Sequence, residues 1–238
     1  MQFSGKTFLV VGTGKSGVAA TTLLLKAGAS IIVLEGNSSL SRDEILSRFP
    51  PGLNFQLVTG EPAESITDSI DIAVISPGVP VDSPLVLKLE EKGKPVWGEV
   101  ELAYVCGNGR VFAITGTNGK TTTTALAGEI MKTYFDDVYV VGNIGLPYTE
   151  YAAEMTENSV VVAEISSFQL ETIHTFKPEA SAILNITPDH LDRHHTMECY
   201  VDTKACIAKN QKPGSICVLN YEDSYLRKNI KELFHIDD

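Results

Sequence analysis

Short runs of β-branched and aliphatic residues alternate with longer stretches of helical period from one end of the chain to the other. That is the pattern of parallel strands joined by crossover helices, and it predicts an α/β class. In the first part the expected strands are Phe8 to Val11, Ile31 to Leu34, Phe55 to Val58 and Ile72 to Ile75. All are near-continuously apolar, as strands covered on both faces must be. Helices are expected between them, among them Val18 to Lys26 and Leu85 to Glu91. A break is expected at Gly93-Lys94-Pro95, where proline ends a helix. A second series then begins, with strands at Val111 to Ile114, Val138 to Val141, Val160 to Ala163, Ala182 to Asn185 and Ile216 to Leu219. The expected domains are therefore residues 1–94 and 95–238, with no solenoid repeat and no low-complexity segment.

Composition narrows the function. With 238 residues and 43% apolar content, the chain can bury one large or two ordinary cores. A formal charge of -11 repels polyphosphates and anionic lipid at long range, so neither a nucleic acid nor a membrane is expected as partner. Any phosphate must be met locally, by a few placed cations and backbone amides. Cys106, Cys199, Cys206 and Cys217 contain no CxxC pair, so no zinc or redox motif is suggested. Four such thiols, with no apolar run of membrane-spanning length, fit a cytoplasmic protein.

Two loops carry the strongest chemical signals. Gly12-Thr13-Gly14-Lys15-Ser16-Gly17 follows a strand and opens a helix, and Glu35 ends the next strand. This dinucleotide-type arrangement brings backbone close to a pyrophosphate at a helix N-terminus. It favours a nucleotide without separating NAD from another pyrophosphate ligand, and a bare strand-to-helix turn is the alternative. Ser76-Pro77-Gly78 follows the strand Ile72 to Ile75 and could form a second wall of the same crevice. The second loop, Thr115-Gly116-Thr117-Asn118-Gly119-Lys120-Thr121, lies between the strand Val111 to Ile114 and a helical stretch through Tyr134. Gly116 and Gly119 let successive amides face one anion, Lys120 adds a mobile cation, and the Thr121 hydroxyl can ligate Mg²⁺. A strict P-loop has glycine where this chain has Ile114, so the loop is a variant.

Further polar groups sit at later strand ends. Asn143 lies in Gly142-Asn143-Ile144-Gly145, which alone signals only a turn, and Glu164 stands where a phosphate-loop protein needs a metal ligand or a water-orienting acid, a solvated strand end explaining it equally. The stretch from Asn185 to His195 packs three histidines, two aspartates and an arginine after a strand. Asp189 and His190, first after the strand, are the expected participants, and His194 and His195 are expected at the periphery. Taken alone, Lys204 reads as a solvated cation, like Lys209 and Lys212.

In combination, the Thr115 to Thr121 loop, Glu164-Ile165-Ser166-Ser167-Phe168-Gln169-Leu170, the Asn185-to-His194 segment and the N-terminal glycine loop resemble the Mur ligases, bacterial enzymes that build the peptide stem of peptidoglycan. The resemblance is strongest to the D-glutamate-adding members and runs the length of the chain. It implies a Rossmann-like N-terminal domain followed by a P-loop-type central domain. It also implies ATP and Mg²⁺ as cofactors, and UDP-N-acetylmuramoyl-L-alanine and D-glutamate as substrates of a monomeric enzyme. Gly14, Lys15, Ser16, Glu35, Gly36, Ser76 and Gly78 would then hold the UDP moiety, with position 36 contributing only backbone. Gly116, Thr117, Asn118, Gly119, Lys120, Thr121 and Thr122 would hold ATP phosphates. Thr121, Glu164, His190 and a carbamylated Lys204 would serve Mg²⁺, and Asn143, Ser166 and Gln169 would line the substrate cleft. The family has a third, amino-acid-binding domain with no counterpart in these residues. The expectation is therefore a chain that binds the UDP substrate but has little ligase activity by itself. An NAD-dependent oxidoreductase using Gly12 to Gly17 and Glu35, or a non-catalytic nucleotide-binding module, are the competing readings.

Overall fold

The computed structural model describes residues 3–228, which divide into two compact units. Among these, the first comprises residues 3–106 with an excursion of 147–153, and the second comprises 107–146 and 154–228. In the first, β1 (Thr7–Val11), α1 (Lys15–Lys26), β2 (Ser30–Glu35), α2 (Arg42–Leu46), β3 (Gln56–Thr59), α3 (Glu64–Ser69), β4 (Ile72–Ile75), α4 (Pro84–Glu91), β5 (Val96–Gly98) and α5 (Glu99–Cys106) follow one another. The sheet is parallel in the order β3-β2-β1-β4-β5. Crossing from β1 to β2 on one side and to β4 on the other makes a switch point at the carboxyl end of β1, where such sheets bind ligands. One face packs Leu9, Val11, Ile32, Leu34, Ala73 and Ile75 against Val86 and Leu89 of α4.

The predicted break at Gly93-Lys94-Pro95 lies inside this unit. Val96, Trp97 and Gly98 pair with Ala73, Val74 and Ile75, adding β5 to the first sheet, and the chain leaves the unit only after Cys106. It is Gly93, at φ +66, and not the proline that closes α4, which ends at Glu91, and the Gly93 and Lys94 amides donate back to the Glu90 and Leu89 carbonyls. Three residues suffice for a strand here because Phe3, Phe8 and Trp97 pack edge to tilted around it.

The second unit contains β6 (Arg110–Thr115), α6 (Lys120–Lys132), β7 (Val138–Gly142), β8 (Val160–Glu164), α8 (Ser167–Leu170), β9 (Ala180–Ile183), α9 (Leu191–His194), α10 (Met197–Ala205) and β10 (Ile216–Leu219), while α7 (Tyr148–Tyr151) belongs to the first. Its parallel sheet runs β10-β9-β6-β8-β7. Again the first strand of the series is central, so its carboxyl end at Thr115 is a switch point. Strand β9 starts two residues earlier than the apolar run suggests, which leaves Leu184 and Asn185 beyond the sheet, at its carboxyl edge.

Candidate functional site

In the first unit the glycine loop is built for close approach. Gly12 has φ +100, and a side chain there would meet Ser76 Oγ at 2.6 Å. A Cβ on Gly17 would lie 2.0 Å from the Gly12 carbonyl oxygen, so the first turn of α1 packs directly on its own entry loop. Gly14, Gly36 and Gly78 have nothing within 4 Å of such an atom, so their surface is open. Lys15 is exposed and Ser16 half-buried at the start of α1. Glu35 is held at the end of β2 by the Thr13 hydroxyl and by the amide of Asn37, which donates at 2.9 Å. Arg48 approaches the same carboxylate at 3.9 Å and donates to Thr13 Oγ1 at 2.8 Å. Ser76 Oγ is buried beside Gly12 without a hydrogen-bond partner.

In the second unit the loop from 116 to 119 is tethered to the residues after β9. The Thr117 amide donates to the Asn185 carbonyl at 2.9 Å. The Asn185 side chain bridges the loop backbone, accepting from the Asn118 amide at 2.8 Å and donating to the Asn118 carbonyl at 3.0 Å. Thr117 Oγ1 accepts from the Thr187 amide at 3.1 Å and lies 3.1 Å from the Tyr200 hydroxyl. Gly116, at φ +149, would press a side chain against Leu184 at 3.1 Å, and Gly119, at φ +80, ends the loop in the left-handed region. Lys120 then begins α6 and folds back to donate to the Thr117 carbonyl at 2.9 Å. Thr121 and Thr122 are exposed on the first turn of α6.

Two buried ionisable groups flank this loop. Glu164 is 1% exposed and pairs in register with Ile114, one residue before the end of β6. Its Oε1 accepts from Asn143 Nδ2 at 2.8 Å, whereas Oε2 is buried with no hydrogen-bond partner. Gly142 makes this corner possible, because a Cβ there would sit 2.2 Å from the Glu164 carbonyl oxygen. An unpartnered buried carboxylate oxygen is costly, and a cation is one way to satisfy it. Among the described residues no three His, Cys, Asp or Glu side chains gather as a metal-binding group. A cation here would rely on one carboxylate, hydroxyl, water and phosphate oxygens, which suits Mg²⁺ better than a metal needing a full protein cage.

Lys204 is the second buried ion. It is 1% exposed, donates to the Gly116 carbonyl at 2.9 Å and lies 4.7 Å from the centroid of the Tyr200 ring. Burial, reinforced by the positive charge of Lys120, lowers its pKa to about 7, so a large share is a neutral amine near neutrality. The reading as a solvated cation is corrected by this burial.

The 190–195 corner differs from expectation in one respect. His190 is half-exposed, at φ 50, with its amide on Asp189 Oδ1 at 3.0 Å and its ring 4.9 Å from Phe168. His194, expected at the periphery, is 2% exposed, 2.9 Å from Ser167 Oγ, and its pKa is lowered by burial. Sequence spacing hid this because α9 is only four residues long and turns His194 inward. Ser166 and Gln169 form a reciprocal cap at the start of α8, Gln169 Oε1 accepting from the Ser166 amide at 2.9 Å. A structural role for both is thus complete within the helix start. The Glu171 and Arg193 pair and the Asn185 tether had no local signal, since their partners lie far along the chain.

The architecture defines a protein with two parallel α/β units, the second carrying a glycine loop flanked by a buried carboxylate and a buried amine. Residues 114–236 match the Mur ligase middle domain, and residues 6–98 match the Mur ligase MurD-like N-terminal domain. The chain belongs to the Mur ligase family. It is 53% identical over 227 residues to the UDP-N-acetylmuramoylalanine--D-glutamate ligase of Lachnoclostridium phytofermentans, covering 95% of this chain and 50% of that protein. Identity to the ligases of the same name from Lachnospira eligens and Clostridioides difficile is 54% and 48%, with the same coverage of 95% and 50%. The chain spans about half the length of the curated relatives it matches. A solved Neisseria ligase, UDP-N-acetylmuramate:L-alanyl-gamma-D-glutamyl-meso-diaminopimelate ligase, shares the fold with TM-score 0.60 at 15% identity, over 95% of this chain and 75% of that one. A murein peptide ligase from Psychrobacter arcticus does so with TM-score 0.55 at 13% identity, over 96% and 52%.

Proposed function

We infer that this chain serves an ATP-dependent ligation in which the carboxylate of UDP-N-acetylmuramoyl-L-alanine is phosphorylated and the resulting acyl phosphate is taken by the amine of D-glutamate. The observation that carries this reading is the pair of buried ions at one phosphate loop, Glu164 with an unpartnered oxygen and Lys204 on the Gly116 carbonyl. A turn that only joined a strand to a helix would have no use for either.

In this reading the amides of the loop and the start of α6 orient the ATP phosphates, and Lys120 leaves the Thr117 carbonyl to offset charge on the transferred group. Thr121, Glu164, His190 and modified Lys204 are the residues that would hold Mg²⁺, which when bound lowers the charge on the phosphates. The neutral amine of Lys204 can add to CO₂, forming an N–C bond and releasing one proton, and the carbamate so formed replaces a cation with an oxygen donor. Asn143 orients Glu164, and the Gly14, Lys15, Ser16, Glu35, Gly36, Ser76 and Gly78 surface takes the UDP moiety. Ser166 and Gln169, which cap α8, line the acceptor cleft in this reading.

Calorimetric titration with UDP-N-acetylmuramoyl-L-alanine and, separately, NADH tests the first loop, and a ¹³C carbamate signal under ¹³CO₂, absent in Lys204→Met, tests the second. Binding of the UDP ligand together with the lysine signal is expected. Tight NADH binding without UDP binding would overturn the reading in favour of an oxidoreductase.

A further inference from the structure

The second unit holds a side-chain cluster around His190 whose other members the proposed chemistry leaves unused. Glu171, just after α8, grips Arg193 at two points, Nε donating to Oε1 at 3.2 Å and Nη2 to Oε2 at 2.5 Å. The two side chains are only 10% and 12% exposed. The Arg193 guanidinium carbon lies 5.0 Å from the centroid of the Phe168 ring, and the His190 ring packs against that same ring at 4.9 Å, tilted by 53°. His194 joins the cluster, with Nδ1 3.6 Å from Glu171 Oε1 and Nε2 2.9 Å from Ser167 Oγ.

The segment these contacts hold cannot hold itself. Helix α9 is four residues long, too short to be stable by its own hydrogen bonds. It is bounded by His190 at φ 50 and His195 at φ 64, the only non-glycine residues of positive φ among those described. Such conformations persist where the surroundings over-determine them. The contacts of α8 do this: a planar fork on Arg193 that lysine could not reproduce, a stacking surface in Phe168, and the Ser167 hydroxyl on His194.

We propose that Glu171 and Arg193 are positioning residues for His190, their ion pair fixing the left-handed corner so that the imidazole rests on Phe168. This rests on the reading of His190 as a metal-facing residue. The pair acts through geometry and touches neither metal nor substrate.

The test is NMR of the imidazole Cε1–Hε1 signals of the full 238-residue chain, with His190→Ala for assignment and Mn²⁺ added in the presence of ADP. In wild type the His190 signal is displaced by the Phe168 ring and broadened by Mn²⁺. In Arg193→Lys and Glu171→Gln it shifts toward that of a free histidine, and the Mn²⁺ needed for half-broadening rises roughly tenfold, the lower end of what loss of a supporting contact costs a metal site. Glu171→Gln strands a buried charge and can unfold the unit, so Arg193→Lys, which keeps the charge, decides the matter if it does. A lowered thermal midpoint with an unmoved His190 signal would reduce the pair to a structural ion pair and overturn the proposal. Failure of Mn²⁺ to broaden His190 in wild type would instead sink the metal-facing reading, while the signal position in the variants still decides the positioning claim.

Discussion

The two glycine loops start from the same topology, the carboxyl end of a central strand feeding a helix, and they spend their glycines differently. In the first, glycine serves packing: Gly17 sits against the Gly12 carbonyl and Gly12 against Ser76, and the polar contacts around it, Thr13, Glu35 and Arg48, lie to one side. In the second, Gly116 and Gly119 shape a loop that is tied down by Asn185 and flanked by buried Glu164 and Lys204. Burying an ionisable group carries a cost, and the second loop has two such groups beside it. In the proposed function the first loop is a surface that takes a ligand, and the second is the one where the chemistry takes place.

Substitutions can break this contrast. The largest effect is expected from Gly17→Ala, whose new atom would meet backbone 2.0 Å away. It should cost about 3 kcal/mol in urea unfolding, near the upper range for overpacking. A cost below 1 kcal/mol would show that the turn yields and that packing does not explain the glycine.

A smaller effect is expected from Lys204→Met, and it appears as a pH dependence. The folded pKa is about 7 against the usual 10.5, so between those values the unfolded chain binds more protons. Stability should therefore rise with pH across that window, the penalty for burying the ammonium being full below about pH 7 and gone above about 10.5. In Lys204→Met the rise from pH 7 to 9 should flatten, and an unchanged slope would remove Lys204 as its source. The smallest effect belongs to Gly14→Ala, which meets nothing within 4 Å and has φ -75. It should stay within about 0.5 kcal/mol of wild type.

Legibility in the sequence followed the range of the interactions. Strands buried on both faces are continuous apolar runs, so eight of them could be placed within a residue or so, but β5 escaped because its three residues rely on Phe3 and Phe8 from far upstream. Both glycine loops were visible because strand, turn and helix are contiguous. Lys204 stood out only through the family resemblance and not from its own surroundings, since its partner Gly116 is 88 residues away and nothing in Tyr200 to Cys206 marks the lysine as buried. His194 was misplaced for the same reason, its burial being decided by Ser167, Phe168 and Tyr200. Glu171 and Arg193, 22 residues apart, left no signal at all.

The central claim is that the second loop binds a metal nucleotide through Glu164 while the first binds a different ligand independently. Its most direct test is calorimetric titration of Mg-ATP into the chain saturated with UDP-N-acetylmuramoyl-L-alanine, comparing wild type with Glu164→Gln. The account predicts Mg-ATP binding in wild type without release of the UDP ligand. It also predicts at least about tenfold weaker Mg-ATP binding in Glu164→Gln, the scale of one charge-assisted contact, with UDP-ligand affinity unchanged. Displacement of the UDP ligand by ATP, or equal Mg-ATP affinity in the two proteins, would contradict it.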